Sequence, residues 1–466
     1  MMENLSQLII KVADIVCGYP LFIVLIGGGL YMLIRSGFAS LRLIPDAIKE
    51  LRRKDVKGEG QISSAQALAS VVAATIGLGN IAGVTIALVM GGPGAIFWMW
   101  VSAIVGMSTK LHEGVLAIKY RSTDRQGNYH GGPMYIIRKG LGKKWKPLAV
   151  FFAVAGMFGT MCMMNANQLT EATLSTFTTP DMLENNGFLN AVSSVTGLSN
   201  IVSFRLLTGV TIALVVSAVI IGGIKRIAKV ASIIVPFMVI LYFLMVLYII
   251  VTHYTQLPGV IASIFTEAFN LQAGFGALVG IAIIGARRAA LVNDAGVGTA
   301  SIMHGESKND KPVREGLIAM LGPSIDSGFV CTLTAIAILL CANLPTPGSD
   351  IKGLEIAMDA FRNALPAGEF LLFFVILCFG LSSMFSYSFY GRSCANYLFG
   401  EKNSKFYTYI FILSLIIFAV IPLDTVIGIC DLFYGLMAFS TMFALIALSG
   451  EVREEIRKHK QSKKQK

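Results

Sequence analysis

Apolar residues fall into eleven runs along the chain, at 19–35, 63–90, 94–118, 147–177, 204–223, 229–251, 264–300, 316–341, 368–391, 406–422 and 426–449, with polar residues gathered between them. Each run reaches the roughly 17 residues that a helix needs to cross a hydrocarbon layer of about 30 Å. Lipid offers no hydrogen-bond partner to the backbone, so each run predicts a helix that satisfies its own peptide groups. The fold class expected is all-α integral membrane with 11 transmembrane helices, an N-terminal helix followed by ten core helices. No segment between runs exceeds about 30 residues, which leaves no room for an appended soluble domain.

Two runs read as interrupted. The first core run holds Gly77-Leu78-Gly79-Asn80 and Gly83 near its middle, where unpaired backbone facing lipid would cost on the order of several kcal/mol per group. Opened backbone at that depth must face protein or a wet cavity, and it offers amides to an anion and carbonyls to a cation. Close packing through small residues is the alternative use of such glycines. The sixth core run, at 264–300, is too long for one straight crossing and carries Gly274-Phe275-Gly276 and Gly280, which predicts a second break there; an interfacial helix followed by an ordinary span is the other reading. The first and sixth core runs open two sets of five, at 63–251 and 264–449. An odd repeat length inverts one set relative to the other, and matched breaks in inverted halves mark a transporter's midplane site. Residues 1–62 then form the N-terminal helix with a basic loop, and 450–466 a basic tail.

Composition agrees: 55% of the residues are hydrophobic and 14% charged, against about 25% charged in soluble domains. The net charge of +11 would suit a nucleic-acid binder, but its placement argues otherwise. Of 38 Lys and Arg, 31 lie in every second loop or in the tail, and only Lys11, Arg205, Lys352 and Arg362 on the opposite side. That alternation follows the positive-inside rule, with the N-terminus outside and the C-terminus in the cytoplasm of a cell (inner) membrane. The N-terminal run lacks a cleavage pattern and reads as a retained helix. Seven cysteines without CxxC spacing and five scattered histidines predict no disulfide framework and no metal centre.

Gly77-Leu78-Gly79-Asn80-Ile81-Ala82-Gly83-Val84, followed by Gly91-Gly92-Pro93-Gly94-Ala95-Ile96-Phe97-Trp98-Met99-Trp100, resembles the signature of the alanine or glycine:cation symporter family, also called sodium/alanine symporters. Gly131-Gly132-Pro133-Met134-Tyr135, Gly222-Gly223-Ile224-Lys225-Arg226, Asn293-Asp294-Ala295-Gly296 and Tyr397-Leu398-Phe399-Gly400 continue the ordered series. The resemblance implies a fold similar to the bacterial leucine transporter, and sodium-coupled symport of small neutral amino acids, alanine or glycine, by alternating access. It implies no covalent chemistry. Proton coupling and passive facilitation are the alternatives.

The resemblance also implies residues. Substrate falls to Gly77, Leu78, Gly79 and Asn80, with Asn165, Phe275 and Tyr387 around it. The coupling ion, Na+, falls to carbonyls of Ala73 and Ile76 and hydroxyls of Ser382 and Ser383, oxygen ligands that suit a hard cation; back-bonding to their own helix is the other use of those hydroxyls. Where the family pattern has Trp, Ser and Glu, this chain has Tyr387, Val292 and Asp294. Lys110 and Glu113, at i,i+3, read as a structural ion pair near the cytoplasmic end of their helix. Arg287 and Arg288 read either as gating residues or as snorkelling to an interface. Lys229 lies too near the start of its helix to stand in for sodium.

Overall fold

The computed structural model describes residues 2–53, 58, 60–124, 127–269, 275–342, 344–345 and 353–465. Helices make up almost all of it, apart from a short antiparallel ribbon pairing Ser122–Thr123 with Tyr129–His130 and one bridge between Ile62 and Ser307. Among the described residues, eight helices are long and apolar enough to cross a membrane: Lys11–Arg35, Gly94–Lys119, Lys143–Phe177, Asn200–Ile220, Gly223–Thr252, Pro312–Cys341, Gly368–Phe399 and Thr425–Ala447. Ser64–Thr75 and Gly79–Gly91, bent by 57°, pass the same test together. The expected runs at 264–300 and 406–422 are helical too, as Phe275–Asn293 with Thr299–Gly305, and as Glu401–Phe418. Glu401, Lys402 and Lys405 dilute the apolar character of the second.

The bent pair begins sharply. Ser63 caps the first helix by accepting the Gln66 amide at 3.2 Å, while the Gln66 side chain accepts the Ser63 amide at 3.0 Å; this reciprocal box satisfies two otherwise orphaned donors. At Ile76 ψ swings to 86°, out of the helical range, and the helix stops. It resumes at Gly79 through one widened turn and ends at Gly91. Gly92, at φ 63°, then turns the chain into the Gly94–Lys119 helix, a left-handed corner that a glycine takes without a Cβ clash.

The sixth core run is divided. A helix Leu257–Ala268 precedes Phe275–Asn293, which begins at the expected break and runs through Gly276 and Gly280 without interruption, and the chain opens again over 294–298 before resuming at Thr299. Asp294, Gly296 and Gly298 all have positive φ there (52°, 90° and 97°), so the chain unwinds in a left-handed sense that helical hydrogen bonding cannot follow. Gly274 lies outside the described residues. The run at 147–177, expected as one helix, is Lys146–Gly159 and Met163–Phe177, parted at Cys162 with φ 52°. In the seventh core helix a widened turn over Ser324–Val330 follows Pro323, whose missing N–H loosens the ladder.

These breaks share one region. The Gly94–Lys119 helix packs on Phe275–Asn293 and on Pro312–Ala319, and Gly368–Phe399 packs on Ser64–Thr75 and Lys146–Gly159. Gly106 shows how tightly: a Cβ there would lie 3.2 Å from Asn293 Nδ2 and 3.3 Å from Ala295.

Candidate substrate and cation site

A cavity of about 160 Å³ lies where the breaks meet. Ala74, Gly77, Gly79 and Ile86 line it from the bent pair, Cys162, Asn165 and Gln168 from the third core helix, and Arg288, Val292 and Asp294 from the sixth. Tyr387, Asp431 and Tyr434 complete it. An apolar cavity of about 150 Å³ holds benzene, six heavy atoms; alanine also has six. The lining fits a small zwitterion, with peptide groups on one wall and few charged side chains.

Of residues 73–83, only Gly79 is not buried. The Asn80 side chain, fully buried, accepts the Gly77 amide at 3.0 Å and donates to Asp326 and, at 3.5 Å, to Cys331 Sγ. Asn80 is thus a brace inside the break, not part of the cavity wall, and Leu78 is buried away from the cavity as well. Asn80 already holds the Gly77 amide, so within the bent pair Gly79 lines the cavity with an amide that donates to no backbone carbonyl among the described residues. Asn165 and Tyr387 take their expected places on the wall. Phe275 is the first residue of its helix, and its side chain lies outside the described residues.

Behind Gly77 is a cluster of oxygen atoms. Ser383 Oγ lies 3.1 Å from the Ala73 carbonyl, 3.0 Å from that of Ala74 and 3.0 Å from that of Phe379. Ser382 Oγ lies 3.3 Å from the Ala73 carbonyl and 3.1 Å from that of Phe379. The back-bond to Phe379 is therefore present, yet both hydroxyls also reach across to the first core helix. Two hydroxyl protons face three carbonyl oxygens, an excess of acceptors that suits a hard cation. Ala74 joins Ala73 as the second carbonyl within reach, and neither hydroxyl contacts the Ile76 carbonyl. The Phe379 carbonyl escaped the sequence reading, although a serine three or four residues past a carbonyl on one helix signals it. A Cβ on Gly77 would sit 2.9 Å from Ser383 Oγ, so this cluster and the cavity share a wall.

Charged groups depart from expectation. Lys110 and Glu113 form no ion pair: Glu113 Oε1 accepts the Gly296 amide at 2.7 Å, and Lys110 Nζ, fully buried, has no hydrogen-bond partner among the described residues. The carboxylate is held instead by the backbone donor that the 294–298 break presents, itself a charge-assisted bond. Arg288 lines the central cavity with Asp431, whose charge acts on it, and so is not an interfacial residue. Asp294, another residue missed as a wall residue, accepts from Tyr387 at 2.5 Å and from Thr299 at 3.2 Å through Oδ2. Lys229 is exposed and away from the cavity, as expected.

At one end of the bent pair a polar clasp holds its first turn. Glu306, buried, accepts from Gln61 at 2.6 Å and meets His130 at 3.0 Å; the other ring nitrogen of His130 meets Asp124 at 3.1 Å. Glu315, likewise buried, accepts from Ser64 and pairs with His304, both at 2.6 Å. With a carboxylate at each nitrogen, both bonds are made when the His130 ring carries both protons. Burial opposes that charge, but the bond and charge of Glu306, then those of Asp124, overcome it and raise His130 above its ordinary 6.5. A raised value means that the clasp is complete below pH 6.5 and weakens as pH climbs through the raised value. Melting curves in detergent should show the unaltered chain losing stability on the alkaline side. His130→Gln should be flatter over the same range, and an identical slope would remove His130 from the clasp.

The sequence profile of the sodium:alanine symporter family matches residues 2–466. The sodium/alanine symporter AgcS of Methanococcus maripaludis is 37% identical over 455 residues, covering 96% of each chain. The probable sodium/glutamine symporter GlnT of Bacillus subtilis is 32% identical over 99% of this chain and 92% of its own length. Among solved structures, that of MhsT in complex with L-phenylalanine aligns with a TM-score of 0.57 at 14% identity, covering 85% of this chain and 98% of MhsT, a likeness of fold.

Proposed function

The chain belongs to the sodium:alanine symporter family, and from that premise we propose that it carries a small neutral amino acid, alanine or glycine, into the cell together with Na+. Membership makes it a multi-pass membrane transporter and not an enzyme. The observation that carries the finer reading is the shared wall. Carbonyls of Ala73, Ala74 and Phe379 converge with the Ser382 and Ser383 hydroxyls on one side of Gly77, and the cavity opens on the other.

In this reading the Gly79 amide binds the substrate carboxylate, and Na+ takes the oxygen cluster. The two charges stabilise each other in a low dielectric, so neither binds well alone, which is the basis of coupling. Asn165 and Tyr387 bound the side-chain space. The eleven helices form an N-terminal helix and two inverted sets of five, at 63–251 and 264–449, whose first members are the bent pair and the helix that opens at 294–298. Alternating access then closes one side over the substrate before the clasp at Gln61 and Ser64 releases the other. The N-terminus lies outside a cell membrane, and the C-terminus in the cytoplasm, as the charge alternation supports.

One positive charge falling through 100 mV releases about 2.3 kcal/mol, enough for more than roughly tenfold accumulation. Purified protein in liposomes should therefore concentrate labelled alanine under an imposed inward sodium gradient and not under a proton gradient alone. Concentrative uptake driven by protons would replace sodium as the coupling ion, and flux without accumulation would make the chain a facilitator.

A further inference from the structure

The symport reading, on which the role assigned here to Asp294 rests, gives the substrate carboxylate and Na+ their places and leaves the α-ammonium without one. The two charges of an α-amino acid are a few bonds apart, so a cavity of about 160 Å³ that grips one must also meet the other. Two carboxylates line it, Asp294 and Asp431. Asp431 is matched with Arg288, on which its charge acts.

Asp294 is placed differently. It stands in the 294–298 break with φ 52°, and Oδ2 is occupied by Tyr387 and Thr299, with Tyr434 donating in turn to Tyr387. Tyr387 and Thr299 fix the carboxylate's orientation through Oδ2 without bonding Oδ1, and Tyr434 acts on the carboxylate as well. Gly79 and Asp294 line the same cavity, and a Cβ on Gly79 would lie 3.6 Å from Val292, two residues before Asp294. An amide for the carboxylate and a carboxylate for the ammonium are thus both offered to a molecule that fills this space. Lys110 acts on Asp294 from the helix behind without bonding to it.

We propose that Asp294 Oδ1 accepts the substrate's α-ammonium and is the residue that distinguishes amino acids from hydroxy and desamino acids of the same size. A charged hydrogen bond of this kind is rejected strongly when the ligand cannot make it, because the buried acceptor is then unpaired.

The test is competition against labelled alanine uptake in proteoliposomes under a sodium gradient, with unlabelled alanine, lactate and propionate. Asp294→Asn should reduce the preference for alanine over lactate by at least about tenfold, through weaker binding of alanine. Asp294→Glu, which keeps the charge and adds a methylene, should fall between the two and serves as the readout if D294N does not fold. A merely structural Asp294 would weaken all three competitors alike, and an unchanged ratio in either variant that still transports overturns the assignment. An unaltered chain that takes up no alanine under sodium would strike the symport reading itself.

Discussion

Ser383→Ala raises the sodium concentration that half-saturates alanine uptake by roughly tenfold to a hundredfold, the equivalent of losing one hydrogen-bonding group to a charge, about 1.5–3 kcal/mol. Of the two adjacent serines, Ser383 has the shorter reach to the first core helix and touches both Ala73 and Ala74, so Ser382→Ala should shift the same curve less. Removing either hydroxyl leaves the carbonyls in place, and uptake at saturating sodium should recover most of its rate. Sodium titration of initial uptake checks this. A curve that does not move for Ser383→Ala would place the coupling ion elsewhere.

Asn80→Ala should do more damage, and of another kind. Among the described residues its side chain is the one hydrogen-bond partner of the Gly77 amide, and it holds Oδ1 of Asp326, whose Oδ2 already has no partner there. Truncation leaves a buried amide unpaired and strips a buried carboxylate of its partner on Oδ1, each costing about 1–3 kcal/mol or more. The break would lose its geometry, uptake should fall more than about tenfold, a loss comparable to one such group, and melting in detergent should drop. Leu78→Met, a change of similar volume beside it but off the cavity, should leave both measurements close to those of the unaltered chain. If Asn80→Ala transports and melts normally, Asn80 is not the brace.

The crossings were legible because lipid imposes a single rule on backbone, and the helices keep to it over nearly every expected run. The first break was legible because glycines and a lone Asn cannot be explained as anchoring residues. The others were not, for physical reasons that can be named. Gly276 and Gly280 do not break their helix, because a helix tolerates a lone glycine at a modest cost, about 1 kcal/mol, and Phe275–Asn293 runs through both. The opening at 294–298 is instead set by three left-handed residues, one of them Asp294. At Cys162 the chain takes a left-handed turn with no glycine at all, which no local pattern announces. Lys110 and Glu113 had the right spacing for a pair, but the Gly296 amide, 183 residues away in sequence, claimed the carboxylate. Ser382, Ser383, Gly79, Asn165 and Tyr387 enter the proposed site through family resemblance; spacing alone would have left the serines bonded to their own helix.

Three interruptions of the main chain, at 76–78, 160–162 and 294–298, surround one hollow. In the proposed reading the grip on the carboxylate common to all α-amino acids can therefore come from groups that every residue carries, insensitive to point substitution except by disruption of the bend, while the ammonium depends on the one side chain of Asp294. Variation at Asn165, Val292 or Tyr387 would then retune the choice of side chain while the holding apparatus stayed fixed, so a new cargo is reachable by a few amino-acid changes without reinventing the lock.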